Sequence, residues 1–114
     1  MSIDTDELYN KILEAAEVAF KEGWQIVKAY APAEFKKMSV QLAEIAENIA
    51  LYKADETQGY SVQTGKILFN MQRDACEAVL VAITQLTLIT VQKAMKAIIA
   101  VLKESIGTLI SGVL

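Results

Sequence analysis

The sequence predicts an all-α chain. It reads as a helical hairpin packed on one long C-terminal helix, a bundle that other copies of the protein would complete. Three observations carry this expectation. Apolar residues recur at alternating spacings of three and four over two separate stretches, 4–30 and 32–57. From Asp74 to Leu102 the chain reads DACEAVLVAITQLTLITVQKAMKAIIAVL, with no Gly or Pro inside. The 114 residues are 54% hydrophobic and 22% charged, with a mean hydropathy of +0.31 and a single Pro. That is one domain, 1–114, too apolar for disorder and with few encoded loops.

The first helix is expected over about 4–30. Asp4 and Glu7 have capping-box spacing, and Ile3 and Leu8 stand at the two positions of a hydrophobic staple. Tyr9, Leu13, Ala16, Phe20, Gly23, Val27 and Tyr30 form one stripe, widened by Ile12, Ala19 and Trp24. The break is expected at Tyr30-Ala31-Pro32, because proline disfavours helical backbone at the residue before it. The second helix, about 32–57, carries Phe35, Met38, Leu42, Ile45, Ile49 and Tyr52 as a heptad-like seam. Val40 and Leu51 project from its far side. The connector ADETQGYS follows, with Gly59 as a left-handed position and Ser61 as the next N-cap.

From 61 to 105 no stop signal is evident, and Gly65 is the one internal weak point, worth about 1 kcal/mol relative to Ala. A fraying tail is expected over 106–114. On a helical wheel Asp74, Gln85, Gln92, Lys96 and Lys103 form a narrow polar stripe, and nearly everything else is apolar. Two shorter helices cannot cover such a helix on all sides. The expectation is therefore a homo-oligomer, or another helical protein as partner. Its assembly interface would comprise Val79, Leu80, Ile83, Leu86, Thr90, Ala94, Ala97, Ile98 and Val101. The polar stripe would face solvent or line a channel between helices. The alternative is a compact monomeric bundle, in which the long helix breaks near Gln85–Thr90 and folds back.

Chemistry is sparse. The chain has no His, so the commonest general base at neutral pH and any Ser-His or Cys-His pair are missing. Cys76 is alone and reads as a small core residue. Glu14/Glu17 and Glu44/Glu47 fall opposite the apolar seams and read as solvated faces. No catalytic residue, metal site, cofactor or small-molecule substrate is expected. One Arg in a chain of net charge −3 argues against nucleic-acid binding. The uncharged run 78–92 is shorter than the roughly 20 residues that span a bilayer. MSIDTDEL has no apolar signal core, so cytoplasmic residence is expected, with membrane association or non-classical export left open. The functional expectation is a non-enzymatic structural or adaptor protein that self-associates through its apolar C-terminal helix. The alternatives are a membrane-active or membrane-surface helical protein and a carrier of an apolar ligand.

Overall fold

The computed structural model describes residues 4–107 and 112–114. Its helices are α1 (Thr5–Phe20), α2 (Trp24–Tyr30), α3 (Pro32–Ala54), α4 (Val62–Thr84) and α5 (Leu88–Ile106), with a 3-10 turn over Lys21–Gly23 between α1 and α2. Among the described residues there is no strand. Helix α1 packs on α5 and α3, α3 on α4, and α4 on α5. This closes a ring of four helical arms, with α2 and α3 forming one of them, in a body of 46 × 22 × 20 Å.

The Asp4 carboxylate accepts the N–H groups of Asp6 and Glu7 at 3.0 and 3.2 Å, capping α1. Ile3 of the expected staple lies outside the described residues. The expected single helix over 4–30 is interrupted, and the reversal sits ten residues earlier than proline suggests. Lys21 has φ 54 and ψ −121, ending α1. At the expected break α2 does end at Tyr30 and α3 begins at Pro32, but the chain does not reverse there. Ala31 has αR backbone, its N–H donates to Val27 O at 2.7 Å, and Phe35 N–H donates to Ala31 O at 3.0 Å. Pro32 occupies the first position of α3, where its missing N–H costs little.

A side-chain contact confirms where the hairpin turns. Lys36 Nζ lies 2.8 Å from Asp6 Oδ1, and 5.2 Å from the centroid of the Tyr9 ring. Residues 6 and 36 face each other across a reversal centred on Lys21. A turn at 31–32 would have placed Asp6 opposite the next connector.

In α3 the seam residues Phe35, Met38, Leu42, Ile45 and Ile49 are all buried, with Tyr52 half-buried at its end. On α1 the buried line is Leu8, Ile12, Ala16 and Phe20, one position round from the stripe's expected centre. Helix α3 stops at Ala54 rather than 57, because the Asp55 carboxylate accepts the N–H and hydroxyl of Thr57 at 3.0 and 2.8 Å. Gly59 has φ +62, and a Cβ there would collide with the Asn48 carbonyl oxygen. Ser61 caps α4 by accepting Thr64 N–H at 3.3 Å. Gly65 is a point of close approach rather than a weak point. A Cβ there would lie 3.0 Å from Ile45 Cγ2 and 3.2 Å from Ile49 Cδ1.

The stretch expected as one helix over 61–105 is two helices, and the chain takes the folded-back alternative. Gln85 adopts left-handed backbone, φ 62 and ψ 14, with its N–H on Val81 O at 3.1 Å. The turn has no Gly or Pro; threonines build it. Thr84 Oγ1 donates to Leu80 O at 2.6 Å and accepts Leu86 N–H at 3.3 Å. Thr87 caps α5 by accepting Thr90 N–H at 3.2 Å. Antiparallel return then lays α5 along α1 and α4, burying Val91, Ala94, Met95, Ile98, Ile99, Leu102 and Ile106. In the expected fraying tail, Ile106 is helical and Val113 is buried near Gly65. Residues 108–111 lie outside the described part.

Lys21 and Gln85 are the two non-glycine residues with positive φ among those described. Such backbone costs about 1–3 kcal/mol in residues with a Cβ. Lys21→Gly is therefore expected to raise unfolding free energy by about 1 kcal/mol, read as a higher urea midpoint at unchanged slope. An unchanged or lower midpoint would show that the Lys21 side chain contributes more than its backbone costs.

Candidate functional site

The long C-terminal helix expected over 61–105 was to present its apolar surface to another chain. The fold divides that surface. Of the nine residues expected at the interface, Leu80, Ala94 and Ile98 are buried in the chain's own core. Val79 and Leu86 are half-buried. Ile83, Thr90, Ala97 and Val101 remain exposed, Ile83 at 44% and Val101 at 39%. The reason is steric. Once α5 turns back at Gln85, α1 and α4 occupy the side that a second copy was expected to cover.

Grooves open along α5 among the described residues. The first, about 440 Å³, runs between α5 and α1. Ala15, Ala19 and Ala97 keep it shallow, Val18 and Val101 stand on its walls, and Lys11, Glu14 and Ser105 give it a polar rim. Val18 is 76% exposed, the most exposed large apolar side chain among the described residues. It was not singled out from sequence. Its signal is an apolar residue on the otherwise charged face of α1, beside Glu14, Glu17 and Lys21. Further exposed apolar residues, Ile83, Leu88 and Ile89, surround the α4–α5 turn.

The second groove, about 490 Å³, lies between α4 and α5. It gathers four of the five polar-stripe residues, Asp74, Gln92, Lys96 and Lys103, although the helix that was to align them is broken. Gln85 is the fifth, and it sits exposed in the turn. Residues 74 and 92–103 meet because the two antiparallel helices turn the same edge of the wheel toward each other. Arg73 and Glu77 join them. Arg73 Nε is 3.9 Å from Glu77 Oε1 and 4.0 Å from Asp74 Oδ1, too long for hydrogen bonds, and it is buried with no hydrogen-bond partner among the described residues. Three of the chain's eleven basic residues thus face two carboxylates in one groove of an otherwise acidic protein.

Glu77 is only 6% exposed, and burial raises its carboxyl above the usual range; Arg73 opposes the shift and Asp74 adds to it. Beside it, burial pushes the Cys76 thiol up to about 12, aided by Glu34 and Glu77 and opposed by Lys37. Such a thiol is not a nucleophile at neutral pH. Glu14, Glu17, Glu44 and Glu47 are all exposed. Among the described residues no three His, Cys, Asp or Glu side chains converge as metal ligands. No described helix is long and apolar enough to cross a membrane. Compared with known proteins, the chain matches no family model, no curated protein and no solved structure.

Two outcomes follow from the buried pair. A carboxyl with a raised folded pKa keeps its proton longer in the native state, so its ionisation weakens the fold as pH rises. Its effect is absent below the unfolded value near 4.5 and complete above the raised native value. Glu77→Gln should therefore gain stability over the native protein on going from about pH 4 to about pH 8, measured by urea unfolding. An identical difference at both pH values would exclude the linkage. Cys76 should resist a thiol-specific disulfide reagent at about pH 8 until denaturant is added. Rapid native reaction would place the thiol outside the core.

Proposed function

We propose that the chain is a non-enzymatic structural or adaptor module that pairs with a second copy of itself. The observation that carries this reading is the α1–α5 groove. Its walls, Val18 and Val101, are exposed apolar residues, and its alanine floor leaves room for side chains from outside. Its rim carries both charge signs, Lys11 and Glu14. A rim with both charge signs is compatible with the self-complementarity that an isologous interface needs. Ala97 and Val101 belong to the surface expected from sequence, so the proposal keeps the self-association and relocates its centre. The absence of His and the unreactive surroundings of Cys76 add to the case against catalysis.

Sedimentation velocity from micromolar to sub-millimolar concentration tests the reading. The native chain is expected to form a defined dimer. Val18→Asp with Val101→Asp should weaken it at least about tenfold, since two central apolar contacts are replaced by like charges. A monomer across the whole range would overturn the proposal. A dimer indifferent to both substitutions would place the contact elsewhere.

A further inference from the structure

Resting only on the reading that the chain pairs with itself, and not on the α1–α5 groove as the contact, we propose a different route to that pairing: two copies exchange α5. The Gln85–Thr87 turn straightens, residues 62–106 become one helix, and α5 of each copy takes its place against α1 and α4 of the other.

Four observations lead there. The first is helical phase. The buried residues of α4 include Phe69, Cys76, Leu80 and Thr84, and those of α5 include Val91, Met95, Ile98, Leu102 and Ile106. Thr84 and Val91 stand seven positions apart, two helical turns, across a linker of three residues. Continued through that linker as an α-helix, the two buried faces fall on one unbroken stripe of threes and fours. Leu88 is the residue that completes the stripe between them, and in the folded-back chain it is 50% exposed. A straight helix would therefore present both halves to bundles on the same side without rotating either.

The second observation is the strain in the linker. Gln85 is a left-handed residue with a Cβ, and a short hinge under strain is what favours exchange between copies. The third is local propensity. Between Gly65 and Gly107 the sequence contains no Gly and no Pro, so residues 85–87 hold no strong helix breaker, although Thr87 favours its present cap. Straightening also restores backbone bonds that the turn forgoes, such as Leu86 N–H to Ala82 O in place of the Thr84 hydroxyl it uses now. The fourth is the surface around the hinge. Ile83, Leu88 and Ile89 are exposed on both sides of it. When two straightened helices run antiparallel, their hinges meet at the two-fold axis, where Leu88, which lies on the line of the buried stripe, gains a partner surface. Every other contact of α5 is the one it already makes, supplied by the other copy.

The exchange is read by distance within one chain. Cys76 is buried with its thiol pKa at about 12, so spin labels on Lys66→Cys with Lys103→Cys go to the introduced positions. Labelled chain is mixed with excess unlabelled chain by unfolding and refolding together, and monomer and dimer are separated by size. In the folded-back chain the two positions lie on adjacent antiparallel helices. On one straight helix they lie roughly 55 Å apart at 1.5 Å per residue. The dimer should show the long distance and the monomer the short one. Gln85→Gly, which relieves the closed turn and weakens the straight helix, should lower the dimer association constant at least about tenfold. A dimer with only the short distance would overturn the exchange and leave self-association standing. A chain that stays monomeric would overturn both. An unchanged association constant in Gln85→Gly would overturn the hinge's part in dimer formation.

Discussion

The structure depends on how the apolar face of α5 is covered. Six large side chains on that helix, Val91, Met95, Ile98, Ile99, Leu102 and Ile106, are buried. At about 1.5–3 kcal/mol each, their burial gains roughly 9–18 kcal/mol as an upper estimate. The turn that permits it costs far less: about 1–3 kcal/mol for left-handed Gln85, and about 0.5–1.5 kcal/mol for each helical bond forgone. In a chain alone in solution, burial decides, and the helix breaks although no residue in it is a breaker. The same arithmetic says that a second chain able to cover α5 would remove the reason for the break.

The first hairpin shows the converse. Pro32 is the strongest local stop signal in the sequence, yet helical bonds pass on either side of it. Proline removes one donor and restricts its predecessor; it does not by itself reverse a chain. Reversal at Lys21–Gly23 instead sets α1 against the start of α3, where Asp6 and Lys36 meet, and leaves the rest of α3 free to pair with α4. Gly65 permits that pairing to be close, and the seam from Phe35 to Ile49 fills the space between.

Polar residues follow the same division. The thin polar line of the C-terminal stretch survives the break, because antiparallel helices packed by their apolar faces turn the neighbouring edge toward a common groove. There Arg73 lies near two carboxylates without hydrogen-bonding either, and Glu77 is buried with its carboxyl shifted upward. Buried and imperfectly paired charge of this kind is weak evidence of stabilisation. It ties the stability of the groove to the ionisation of Glu77.

Much of this was legible in the residues themselves. Helix was determined by periodicity and by the scarcity of Gly and Pro. Asp4, Ser61 and Gly59 act as their types and positions imply, since caps and left-handed turns depend on a few neighbouring backbone groups. The α3 seam is buried as its spacing requires. Where the chain reverses was decided by tertiary structure alone. Lys21 and Gln85 hold backbone that neither residue prefers, and Thr84 and Thr87 cap a turn that reads locally as helix. Their cost is local and small, while the burial that outweighs it comes from packing between whole helices, of α1 on α3 and of α5 on α1 and α4. The α1–α5 groove was hidden for the same reason. Val18 and Val101 become neighbours only after α5 has folded back, and no periodicity within either helix records that meeting.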